Sequence, residues 1–125
     1  MVLIIGGAYQ GKLTLAKRRY GVSEEDIFTC TEENGIVFGA RCINQIEAFT
    51  LWCVRNGADA TEIFKANREK WENGVLICAD IFCGVVPVDA EMRFWREMTG
   101  RLCAYLCEEA QSVTRMFCGL AQDLK

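Results

Sequence analysis

The strongest constraint on this chain is the stretch VLIIGGAYQGKLTLA at residues 2–16. Val2–Ile5 is apolar without interruption and rich in β-branched residues, the pattern of a parallel strand buried on both faces. It ends at Gly6-Gly7. Gly11-Lys12 then opens a helix-forming segment, Lys12–Tyr20, which Gly21 stops. The spacing Gly6-x-x-x-x-Gly11-Lys12 is that of a phosphate-binding loop. Glycines let backbone N–H groups turn inward around phosphate oxygens, the lysine reaches the outer phosphates, and the following helix adds its positive end. One part is missing. Leu13 stands where such loops carry the Ser or Thr hydroxyl that ligates magnesium. Thr14 lies about 100° further around the helix, so it does not simply substitute and is better placed for an inner phosphate.

The candidate nucleotide-binding residues are therefore Gly6, Gly7, Ala8, Tyr9, Gln10, Gly11, Lys12, Leu13 and Thr14. The competing reading is a glycine-rich strand-to-helix turn with no ligand, in which Lys12 is a solvated surface lysine.

Beyond this loop, strands and helices alternate. Ser23 to Asp26 resembles a capping box around a short helical turn. Gly35–Phe38 is a candidate second strand. Ile43, Ile46, Phe49 and Cys53 recur at helical spacing and predict a helix over Arg41–Asn56, closed by Gly57. Asp59 caps a further helix over Thr61–Trp71, and Val75–Ala79 is a buried strand. Asp89 caps a long helix from Ala90 to about Ala110, with Trp95, Met98, Leu102 and Leu106 on its buried face. Gly100 interrupts that helix at a cost of about 1 kcal/mol against alanine. Ser112–Cys118 is the last strand expected. The alternation predicts an α/β layer fold with a mostly parallel sheet, formed as one domain over residues 1–125. Ligands of such sheets bind beyond the carboxyl ends of the strands, where both the Gly6–Lys12 loop and the segment Asp80–Pro87 fall.

Composition excludes several classes of function. With 51% hydrophobic and 25% charged residues, the chain is a folding one. A net charge of −3, with scattered basic residues, gives no argument for a nucleic-acid partner. No apolar run approaches a membrane span, and no secretory leader is visible, so the expectation is a cytoplasmic protein. The eight cysteines form no C-x-x-C pair, and we read them as reduced, mostly buried small side chains, with no metal-binding residue assigned. The absence of any histidine removes Ser-His and Cys-His couples and any covalent histidine intermediate.

Asp80 is a second candidate catalytic residue beside Lys12. It would hold water around a metal or accept a substrate hydroxyl proton; the alternative is a capping aspartate. Arg93, Arg96 and Arg101 either steady phosphates, join subunits, or form surface ion pairs. Trp52, Trp71, Phe94 and Trp95 are read as core or oligomer contacts.

Motifs in the last third of the chain carry a family resemblance. CADIFCGVVP, RFWREMTGRL and MFCGLAQDLK resemble segments of the bifunctional adenosylcobinamide kinase/adenosylcobinamide-phosphate guanylyltransferase family of cobalamin biosynthesis. Gly6, Gly7, Gly11 and Lys12 match its loop. Gly84, Val86 and Pro87 match its second motif, with Asp80 in place of Glu. Arg93, Arg96, Gly100 and Arg101 match the third, and Gly119, Leu124 and Lys125 the last. The resemblance implies a three-layer, RecA-like P-loop NTPase fold and a trimeric homo-oligomer. It also implies a kinase that uses ATP or GTP to phosphorylate the aminopropanol hydroxyl of adenosylcobinamide, so the partners would be a nucleotide and a corrinoid. The family's covalent guanylyl-histidine cannot form here, because the chain has no histidine. Leu13 for Ser, Tyr9 and Gln10 for Arg and Ser, and Ala79 for Asn are further departures, and no acidic residue ends the GIVFGA stretch. A catalytically degenerate member that binds nucleotide or corrinoid, or acts as an oligomeric regulatory partner, is the alternative. A small kinase for another metabolite is a third reading.

Overall fold

The computed structural model describes residues 1–125. Its centre is a six-stranded sheet in the order β2-β3-β4-β1-β5-β6. The strands are β1 (Val2–Gly6), β2 (Ile27–Thr29), β3 (Cys42–Asn44), β4 (Val75–Ala79), β5 (Ser112–Phe117) and β6 (Leu120–Asp123). All neighbouring pairs are parallel except β5 with β6. Four α-helices accompany it: α1 (Lys12–Tyr20), α2 (Ile46–Asn56), α3 (Ala60–Ala66) and α4 (Ala90–Glu109). The fold is α/β with a mostly parallel sheet, as the alternation predicts. No helix is long and apolar enough to cross a membrane.

The sheet is covered on both faces. Ile4, Ile77, Cys42 and Met116 pack with Leu15, Ala16 and Val22 beneath α1. Leu3, Ile5, Leu76, Cys78 and Val113 form the larger core with Phe49 and Cys53 of α2, Phe64 of α3, and Leu102 and Leu106 of α4. β1 is buried from both sides, which explains its unbroken apolar run. β1 and β4 are neighbours, yet the chain leaves β1 toward β2 at one edge and leaves β4 toward β5 on the other side of β1. The crevice above Gly6 and Ala79 is therefore the topological switch point, where open α/β sheets place their ligands.

Several elements match expectation closely. Asp59 accepts the backbone N–H groups of Thr61 and Glu62 at 3.0 and 3.3 Å. Asp89 accepts that of Met92 at 3.1 Å. Asp26 accepts the Ser23 N–H at 3.0 Å, closing the short capping turn. Helix α4 runs unbroken through Gly100.

The middle of the chain differs. Gly35–Phe38 is not a strand. Gly35 closes a turn at φ 71° against the Trp52 indole, where an added Cβ would come within 3.0 Å of the ring, and Phe38 packs edge-on to Phe64. The helix expected over Arg41–Asn56 begins only at Ile46, because Cys42–Asn44 is the strand β3, pairing with β2 and β4. Ile43 mimicked helical period because it is buried from the strand, one turn's distance before Ile46. The helix expected to Trp71 ends at Ala66, and a 3-10 turn over Arg68–Lys70 seats Trp71, whose indole N–H donates to the Phe64 carbonyl at 2.7 Å.

Candidate functional site

The crevice is shaped by what Gly6 permits. Its φ is 153°, and a Cβ there would sit 2.6 Å from the Met116 carbonyl oxygen, so only glycine lets β1 end this close to β5. The Gly6 carbonyl accepts the Asp80 N–H at 3.2 Å, which aligns the ends of β1 and β4. The loop then turns through Tyr9 at φ 59° and Gly11 at φ 91° into α1. Gly11 starts the helix by accepting the Leu15 N–H at 3.0 Å. From outside, the β5–β6 hairpin braces the loop. Cys118 and Gly119 both take positive φ, as a two-residue hairpin turn requires, and the Cys118 N–H donates to the Gln10 side-chain oxygen.

Lys12, half-buried in the first turn of α1, folds back across the loop. Its Nζ donates to the Gly7 carbonyl at 2.6 Å. The first turn of α1 carries no acidic residue and its last turn carries Lys17, Arg18 and Arg19, so no carboxylate of its own offsets the positive end of the helix.

A cavity of about 370 Å³ opens between this loop and the start of α2. Ala8, Tyr9, Gln10, Gly11, Lys12, Leu13 and Thr14 line one side. Gly6 and Gly7 lie beneath, setting the loop's path and holding Lys12. Tyr9 is fully exposed. Leu13 also packs against the apolar cluster under α1. Its apolar side chain borders the cavity and offers it no oxygen.

The opposite wall is Asn44, Gln45, Glu47 and Ala79. Three of these, Asn44, Gln45 and Glu47, were missed by the sequence reading, which laid them inside one long helix. Gln45, at φ 56°, breaks the chain between β3 and α2 and places Glu47 in the first turn of the helix, facing Lys12's side of the crevice. Glu47 Oε1 accepts the Ala79 N–H at 2.9 Å, and the Glu47 carbonyl accepts the Trp95 indole N–H at 2.7 Å. Glu47 thus puts an acidic side chain on the crevice wall. The polar Asn44-Gln45 pair between Ile43 and Ile46 is the sequence signal that could have located this break.

Asp80 sits beside the cavity without lining it. Its carboxylate is 11% exposed and stands 3.7 Å from the Arg115 guanidinium. The core thiols nearest Glu47 are shifted toward their neutral form. Burial, and then the charge of Glu47, pushes Cys30 up to about 12. Cys78, fully buried at the end of β4, is pushed up by its hydrogen bond with Cys103 and by burial, with Lys12 acting weakly in the opposite direction. No three Cys, Asp or Glu side chains gather into a metal-binding cluster.

The arginines of α4 divide. Arg101 pairs with Glu97 at 2.9 Å on the surface. Arg96 donates to the carbonyls of Phe82 and Gly84, both at 2.9 Å, and Arg93 to that of Val88. Of the aromatics, Trp71 is core, Trp52 and Trp95 are half-buried, and Phe94 is exposed. No family model matches the chain, and no curated protein matches it.

Proposed function

We propose that this protein binds ATP or GTP through Gly6–Thr14, as a P-loop NTPase of the three-layer, RecA-like kind. We further propose that it phosphorylates the aminopropanol hydroxyl of adenosylcobinamide, without histidine-dependent guanylyl transfer. One observation carries the nucleotide reading: Lys12 lies across a strand–loop–helix turn at the sheet's switch point, facing a cavity with Glu47 on its far wall. An entering phosphate would take the ammonium from the Gly7 carbonyl, exchanging a neutral acceptor for a charged one. The choice of acceptor rests on the motif resemblance of Gly84–Pro87, Arg93–Arg101 and Gly119–Lys125, which also argues for a homotrimer.

The donor set for magnesium is carboxylate rather than hydroxyl. Glu47 is the side chain that would hold the ion or its waters, and Leu13 contributes no oxygen. Magnesium commonly keeps several waters, so such a set is sufficient when the nucleotide supplies the remaining oxygens. Asp80, close to the crevice and paired with Arg115, would orient the acceptor.

Leu13 favours a second reading, a nucleotide-binding member without turnover, because its side chain offers the cavity no oxygen and packs in part under α1. Incubating the protein with adenosylcobinamide, labelled ATP or GTP and magnesium separates the two. Phosphorylated corrinoid above a Lys12→Ala control supports the kinase. Magnesium-enhanced nucleotide binding without product supports the second reading, and absence of nucleotide binding overturns both. Leu13→Ser should strengthen the magnesium dependence of binding, and light scattering reads the oligomer directly.

A further inference from the structure

A larger cavity, about 550 Å³, lies on the outward face of α4 and shares no residue with the nucleotide crevice. Its volume falls within the range of small-molecule sites. The apolar floor is Phe82, Val86 and Ala104, with Gly100 between them, and the rim is Arg93, Arg96, Arg101 and Glu97.

Three features of this cavity point to a ligand. The first is Gly100. A glycine inside a helix is disfavoured against alanine. The packing does not demand it, since an added Cβ would meet Phe82 at an ordinary 3.5 Å. What the glycine preserves is open space above Phe82. The second is charge. Three arginines against one glutamate give this rim a net charge of +2 in a chain whose net charge is −3. The third is pairing. Arg93 and Arg96 have no carboxylate partner. Their hydrogen bonds run to the carbonyls of Phe82, Gly84, Pro87 and Val88, which fix the guanidiniums against the loop and leave their positive charge without an anion.

We propose that this face of α4 is a binding site for a small organic anion: a flat apolar body on Phe82 and Val86, with a carboxylate or phosphate group between Arg93 and Arg96. Guanidiniums suit both anionic groups, because each offers two oxygens to a planar donor fork. The body must be apolar, since the floor offers it no polar side chain. The proposal stands independently of nucleotide binding.

Titration of the full-length protein with 2-naphthoate and with 1-naphthyl phosphate, followed by amide chemical shifts, tests it. The expected result is saturable shifts at Phe82, Gly84, Gly100 and Ala104 with both probes if the site accepts either anion, or with one if it selects. Inorganic phosphate and uncharged 2-naphthol should each bind at least about tenfold more weakly, since a charge-assisted bond of 1.5–3 kcal/mol corresponds to about tenfold or more. Arg93→Gln should weaken binding about tenfold. Ala104→Leu, a strong helix former on an exposed position, should abolish binding with the amide spectrum otherwise preserved. Lys12→Ala should leave the naphthoate titration unchanged, which separates failure here from failure of the nucleotide reading. Shifts confined to Gly6–Thr14, equal affinity for 2-naphthol, indifference to Arg93→Gln, or burial of this α4 face between copies of the chain would each overturn the proposal.

Discussion

Glu47 and Ala79 meet at 2.9 Å, side-chain oxygen to backbone N–H, across 32 residues of sequence. The bond ties the first turn of α2 to the carboxyl end of β4, and Trp95 of α4 anchors the same residue through its carbonyl. It fixes the wall that faces Lys12, so the electrostatics of the crevice depend on one carboxylate held from two sides.

Glu47→Gln keeps an oxygen for the Ala79 N–H while removing the charge. Exchanging a charged acceptor for a neutral one should cost about 1 kcal/mol of stability. Its effect on binding should change sign with the metal. Magnesium-nucleotide affinity falls, and metal-free nucleotide affinity rises because a repelling carboxylate is gone. Calorimetry with and without magnesium reads both. A parallel change in the two conditions would remove Glu47 from the site.

Lys12→Ala loses one hydrogen bond, to the Gly7 carbonyl. Such a half-exposed bond contributes about 1 kcal/mol at most, so the melting temperature should move by only a few degrees. Nucleotide affinity should fall at least about tenfold, because the lost contact to phosphate is charge-assisted.

Gly6→Ala should unfold the site from beneath. The new Cβ would lie 2.6 Å from a backbone oxygen at a φ that L-residues avoid, so a loss of about 2–4 kcal/mol is expected in urea denaturation. Gly21→Ala is the comparison. It shares a positive φ but has nothing within 4 Å, and should lose about 1 kcal/mol.

The buried thiols make the fold sensitive to alkali. Burial raises Cys30 and Cys53 from 9.0 to about 12 and Cys42 to about 11. In the unfolded chain they ionise from about pH 9; in the folded chain they stay neutral. The folded state therefore holds more protons between these values, and stability, complete below pH 9, should decline from pH 9 toward 12. Denaturation midpoints across that range check the slope. Native-state labelling with a thiol disulfide reagent should modify Cys83 and Cys118 first, as the exposed pair, and Cys30, Cys42, Cys53, Cys78 and Cys103 only on unfolding.

Much of the architecture was legible in local pattern. β1, α1, β4 and α4 are long or strongly patterned; the side chains of Asp59 and Asp89 cap α3 and α4 within a few residues, and Gly21 ends α1 through its left-handed backbone. The short strands were not legible. β2 and β3 have three residues each, too few to establish a period, and β6 is an exposed edge strand with no apolar alternation. Missing β3 also hid the far wall of the site, since Glu47 reads as an ordinary helical glutamate until the strand before it is recognised.

The sequence by itself determined the loop. Gly6, Gly11 and Lys12 specify a strand–turn–helix whose backbone demands are local, and the absence of histidine from residues 1–125 excludes a covalent guanylyl-histidine on them whatever the fold. Only the tertiary structure decided what the loop faces. Glu47 reaches the crevice because β3 pairs with β4, and the α4 arginines surround a cavity because Phe82 passes beneath Gly100. Both are contacts between segments distant in sequence, fixed by sheet register and helix packing, and neither leaves a local periodicity to read.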